Sequence, residues 1–108
     1  MLKTTLSVLS SVTLALLSST AIAADAAQLE QGKTLFAGSA QPIACAVCHT
    51  LKDADAAGTI GPDLDELKPD ADRIRKTMME GMGAMPSFSA MDEADREAII
   101  AYVVDATN

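Results

Sequence analysis

The run Cys45-Ala46-Val47-Cys48-His49 constrains this chain more than any other feature. Two thiols separated by two residues are spaced to add across the two vinyl groups of one porphyrin. The next residue is then held beneath the iron, where an imidazole becomes an axial ligand. Cys45 and Cys48 are the only cysteines and His49 is the only histidine, so the motif uses all of them. The other readings of a C-x-x-C fit less well. A redox dithiol belongs in a βαβ context, and no segment here reads as a convincing strand. A zinc half-site needs four ligands from Cys, His or carboxylate, and two thiolates beside one imidazole lack a plausible fourth. A disulfide closing so short a loop adds little. One covalent haem is the expected cofactor.

The N-terminus agrees with that chemistry. Residues 1–23 carry a lone cation at Lys3, an apolar stretch around Leu6 to Leu17, and small residues ending Ala21-Ile22-Ala23. This is the pattern of a secretory signal, with cleavage expected after Ala23 and a nearby alternative at Ala24-Asp25-Ala26. Ser7, Ser10, Ser11, Thr13, Ser18 and Ser19 interrupt the stretch and make it a poor permanent membrane span. Covalent haem is attached on the far side of the bacterial inner membrane, so a periplasmic location is expected. No other membrane-spanning candidate follows.

Residues 24–108 are enough for one small domain. A domain of this size buries a modest core and usually needs a staple. No spare cysteine pair exists, and Phe36, Phe88 and Tyr102 are the only aromatics. A bound haem would supply the missing apolar bulk. The mature segment is acidic, with seven Lys and Arg against fifteen Asp and Glu. That balance argues against nucleic acid and anionic membrane surfaces. It favours redox protein partners that present a basic docking patch, or serves only to keep the protein soluble.

Periodicity indicates three main helices joined by loops. The first spans about 26–39, with Leu29, Gly32 and Phe36 on one face. Gly32 costs about 1 kcal/mol of helix propensity relative to Ala, which is tolerable if another helix crosses closely there. A short helical turn is expected over 44–50, then a long loop over 51–69. The second helix spans about 70–80, with Asp70 or Asp72 as its cap, Ile74 and Met78 facing inward, and Gly81 as its stop. An irregular segment, 82–86, precedes a third helix capped by Asp92, with Glu93 and Asp95 in its first turn. That helix buries Ile99, Tyr102 and Val103.

In this order and spacing, four motifs resemble the class I c-type cytochromes, specifically the small bacterial mono-haem proteins, and they cover nearly all of the mature chain. They are Gly32-x-x-x-Phe36, Cys45-x-x-Cys48-His49, Gly61-Pro62-x-Leu64 and Gly81-x-Gly83-x-Met85-Pro86. The haem motif lies in the first third of the mature chain, unlike the four-helix cytochromes that carry it on the last helix. The resemblance implies an all-α, cytochrome c-like fold wrapped around one covalent haem c. It also implies that Gly32 and Phe36 meet the C-terminal helix through Tyr102. The Pro62 carbonyl would accept a hydrogen bond from the His49 imidazole, and the 81–86 segment would carry the sulfur ligand.

The residues themselves leave the second axial position open, or taken by methionine, an amine or something less usual. Within the segment that the resemblance marks, Met85 is selected because Pro86 biases it toward extended geometry. Gly81 and Gly83 also free the chain from the preceding helix. Met82 is the competing sulfur. His49 and Met85 as axial ligands make an electron-transfer carrier, not an enzyme, the leading expectation, because a thioether favours Fe(II) and filled axial sites leave little room for substrate. Two other readings are a dedicated haem subunit of a periplasmic oxidoreductase and a haem sensor or peroxidase-like enzyme with a labile sixth ligand.

Overall fold

A computed structural model of the chain describes Ala15 and residues 24–108; apart from Ala15, the expected signal segment lies outside the described residues. The polypeptide enters through Asp25, whose carboxylate accepts from Gln28 N at 2.7 Å and caps helix α1 (Ala26–Thr34). The helix then loosens into a π-helical turn over Leu35–Ser39, so the helical segment runs to the residue where sequence periodicity ends it. Helix α1 packs against the long C-terminal helix, designated α4 (Glu93–Ala106). Their closest approach is at Gly32: a Cβ there would lie 2.1 Å from Ala98 O and 2.6 Å from Tyr102 Cβ. One turn further on, the Phe36 and Tyr102 rings meet edge to face, with centroids 6.0 Å apart.

The cysteine motif starts as a 3₁₀ turn over Cys45–Val47. The segment after it is more structured than a plain loop. Strands β1 (Thr50–Leu51) and β2 (Ala56–Ala57) form a minimal antiparallel ladder around a 3₁₀ turn, closed by Asp55 in the left-handed region (φ 50°). A short helix, α2 (Leu64–Leu67), follows, capped by Asp63 and ended by Lys68 at φ 46°. Sequence reading gave no strand and no helix here. Elements of two and four residues are too short to show a period, and tertiary contacts stabilise them: Lys52 N donates to Asp65 Oδ2 at 2.8 Å.

Helix α3 (Ala71–Glu80) begins at Asp70, which accepts from Arg73 N at 2.8 Å, and ends at Gly81 with φ 73°. Of the two caps expected, Asp70 fills the role. Met78 is buried and Ile74 packs against the core. The α3–α4 contact carries a two-pronged ion pair, with Arg75 Nε and Nη2 at 2.8 and 2.9 Å from the Glu97 carboxylate. Asp92 occupies the N-cap position of α4, but its side chain makes no capping hydrogen bond, contrary to the sequence expectation. Its carbonyl accepts Arg96 N, and Glu93 and Asp95 place negative charge in the first turn. Ile99, Tyr102 and Val103 are buried as their spacing predicts, and the core is completed by Phe36, Leu51 and Phe88. Among the described residues no helix is long and apolar enough to cross a membrane.

Two consequences are measurable. Gly32→Ala drives a methyl group into the Ala98 carbonyl and should destabilise the fold by ~1–3 kcal/mol in denaturant titration. The second concerns acid. The Tyr102 hydroxyl donates to Asp53 Oδ2 at 2.6 Å and Lys33 Nζ lies 3.6 Å away, joining α1, α4 and the 3₁₀ turn. Together, the hydroxyl foremost, they hold the Asp53 carboxyl below its usual range. Its folded-state pKa is below the unfolded one. The link therefore stabilises above the unfolded value of about 4 and is lost as pH falls through the folded value. Tyr102→Phe should flatten the acid limb of a plot of denaturant midpoint against pH.

Candidate functional site

The backbone of the cysteine motif is closed by local bonds. Cys48 N and His49 N both donate to Cys45 O, at 3.1 and 2.9 Å, which folds the pentapeptide into one turn. Cys45 and Cys48 both line, with His49, a mainly apolar cavity of about 260 Å³. Burial pushes the Cys45 thiol up to about 11, with Cys48 alongside adding to the shift. The surroundings of Cys45 therefore favour a neutral sulfur, which a thioether is and a thiolate is not. Among the described residues no group of three or more His, Cys, Asp and Glu side chains converges to hold a metal ion.

The imidazole is aimed by the segment that crosses it. His49 Nδ1 donates to the Pro62 carbonyl at 2.8 Å, leaving Nε2 as the free ring nitrogen. Two glycines let that segment come close. Gly61 N donates to Cys48 O at 2.7 Å, and a Cβ on Gly61 would lie 2.6 Å from His49 Cε1 and 2.9 Å from Nδ1. Gly58 lies against the main chain, where a Cβ would fall 2.5 Å from the Cys48 carbonyl carbon.

The segment after α3 supplies two methionines. Met82 and Met85 pair across a tight turn, N to O in both directions at 3.0 and 2.9 Å, with Gly83 at φ 57° between them. Both line the cavity. Met82 is 71% exposed, whereas Met85 is half-buried and packs against the core. Met78 is also buried and lines the cavity, but it is held in α3.

Cys45, Cys48 and His49, with Pro62 and Met85 from later in the chain, thus border one cavity. Sequence reasoning missed Arg73. It is the one Lys or Arg side chain bordering the cavity, and it has no salt-bridge partner among the described residues. In the sequence it sits in the charged run Asp72-Arg73-Ile74-Arg75-Lys76 and reads as a solvated helix face. The tightness at Gly58 and Gly61 was equally hidden, since spacing shows a glycine but not what lies against it.

Two thiols separated by two residues and an imidazole with one nitrogen already bonded, on a mainly apolar cavity that thioethers also border, fit a covalent haem. The fit is tight at Gly61. Gly61→Ala should displace the imidazole from the Pro62 carbonyl and cut the yield of correctly ligated holoprotein, read as haem absorbance per polypeptide and as a shifted Soret band.

Comparison with known proteins agrees with this construction. A family model described as "Cytochrome C oxidase, cbb3-type, subunit III" matches residues 27–103. Among solved structures, the c-type cytochrome SorU from Sinorhizobium meliloti is similar, with 40% sequence identity and a TM-score of 0.71. The match covers 77% of this chain and 94% of SorU. No match is found among curated proteins. The family match extends from α1 into α4 and takes in the whole cavity, and the chain belongs to this family of c-type cytochromes.

Proposed function

We propose that the chain is a periplasmic electron carrier holding one covalent haem c, with Cys45 and Cys48 as its thioether anchors and His49 and Met85 as its axial ligands. The observation that carries this reading is the convergence of these four side chains on one apolar cavity, with His49 Nδ1 already engaged by Pro62. Bound there, haem supplies a one-electron Fe(III)/Fe(II) couple.

The chain's own residues account for the rest. The Pro62 carbonyl fixes the tautomer and orientation of the imidazole and raises the basicity of Nε2. The neutral thioether of Met85 favours the reduced state and a high potential. Apolar lining residues, among them Phe36, Ile74, Leu64 and Val103, keep water away and lower the local dielectric. Arg73 is the cation available to the carboxylates of a haem in this cavity. With two axial ligands and no second histidine, the site has no acid–base machinery and no room for a substrate on iron.

The acidic balance of the chain supports a redox partner with a basic docking patch. Exposed apolar residues support a close contact at the same place: Ile60 is 70% exposed and Met82 71%, and both border the cavity, while Val47 is 53% exposed within the cysteine motif. Together with the oxidase-subunit family, these residues also support a second reading, in which the chain is the haem subunit of a larger oxidoreductase. Copurification with a catalytic partner separates the two.

The test is direct. The intact mass of denatured protein exported in a cytochrome-maturing host should equal the chain from Ala24 plus one haem, and acid–acetone should not extract the haem. Free thiols or a metal other than iron would overturn the reading. Met85→Ala should abolish the weak far-red sulfur-to-iron band of the oxidised protein, lower the potential and open the iron to CO, whereas Met82→Ala should leave the band. The reverse pattern would move the ligand to Met82.

A further inference from the structure

Between Met85 and α4 the chain has no regular secondary structure, yet it is held from two sides. Toward α3, Phe88 N donates to Met78 O at 2.6 Å and the Ser87 hydroxyl donates to Met79 O at 2.7 Å. Toward α4, Arg96 reaches back from the first turns of the helix. Its Nη1 donates to Phe88 O at 3.3 Å, to Ser89 O at 3.2 Å and to Met91 O. Arg96 is half-buried and forms no salt bridge among the described residues. Main-chain carbonyls of a single segment, 88–91, therefore accept its side-chain hydrogen bonds.

The upstream side of Met85 offers no comparable restraint. Gly81 and Gly83 both adopt positive φ, and the turn between Met82 and Met85 is closed only by its own two bonds. A segment with so few anchors opens easily unless something fixes its downstream end. Hydrogen bonds from a charged donor are the stronger kind, and those to Phe88 O and Met91 O are part-buried while that to Ser89 O is exposed.

We propose that Arg96 is a positioning residue for the sixth ligand: by clamping the carbonyls of Phe88, Ser89 and Met91 it holds the segment that keeps Met85 over the cavity. The proposal rests on Met85 being the axial ligand. Arg96 touches neither the cavity nor its ligands, and its effect is on how often the ligand segment opens, not on which atom binds iron.

The experiment uses the holoprotein. Arg96→Leu keeps the apolar stem and removes every donor; Arg96→Lys keeps the charge and a single donor group. The reduced Arg96→Leu protein should bind CO roughly ten-fold or more faster than the parent, reflecting a larger open fraction. Its far-red sulfur-to-iron band should disappear at lower pH as alkaline ligand exchange becomes easier, and Arg96→Lys should fall between the two. Tyr102→Phe serves as the control for general destabilisation, because it breaks the Asp53 link away from this segment. It should lower the denaturant midpoint and leave CO binding and the alkaline transition unchanged.

If Tyr102→Phe accelerates CO binding as much as Arg96→Leu, Arg96 acts only through overall stability and the proposal is overturned. It is also overturned if Arg96→Leu behaves as the parent while Met85→Ala loses the band. If Met85→Ala keeps the band, the ligand assignment fails and the clamp fails with it.

Discussion

The His49 imidazole is held by the Pro62 carbonyl, 2.8 Å from Nδ1, and is pressed by Gly61, whose missing side chain leaves room for the ring. The segment carrying these two residues is also bonded to the cysteine turn through Gly61 N and Cys48 O. One contact thus couples the orientation of the ring to the course of the following chain, including the ladder of β1 and β2 and the cap of α2. A displaced ring would lose its hydrogen bond and its packing together. The arrangement makes one imidazole nitrogen unavailable and leaves the other, the condition for a single well-defined axial ligand.

The opposite side of the cavity is built by different means. Helices α1 and α4 approach at Gly32 closely enough that their backbones touch, and Phe36, Tyr102, Ile99 and Val103 fill the remaining space. That pair forms a rigid wall. Helix α3, tied to α4 by Arg75 and Glu97, forms a second, and the 81–91 segment hangs between them. The methionine side is consequently a loop stretched between two fixed helices, while the histidine side is a compact turn. A small protein with three aromatic side chains has little core of its own, and an apolar cavity at its centre is the space that a covalently bound cofactor would complete.

Legibility in the sequence followed the range of the interaction. Helix α3 could be placed almost to the residue because Asp70 and Gly81 punctuate it with local chemistry. Asp92 read as an equally good cap, yet its side chain makes no capping bond. The β1–β2 ladder and α2 left no periodic trace because two and four residues span only about one repeat of their own patterns, too little for a period to show. Arg73 was invisible for a related reason. A charge among charges gives no sign of which one borders a cavity, and Arg73, exposed on α3, does so only because of where that helix packs.

The chemistry of the cysteine and histidine side is written in the chain, because Cys45, Cys48 and His49 lie within five residues and a single turn places all three. Periodicity also carried the helical class, while the crossing at Gly32 was implied by the family resemblance and is seen in the packing of α1 on α4. Packing added how that turn is met: how closely Gly61 presses the imidazole bonded to Pro62, which methionine is half-buried and which exposed, and which cation borders the cavity. These depend on contacts between residues far apart in the chain, and such contacts are set by how helices pack and where loops are anchored. No local pattern of residues encodes them.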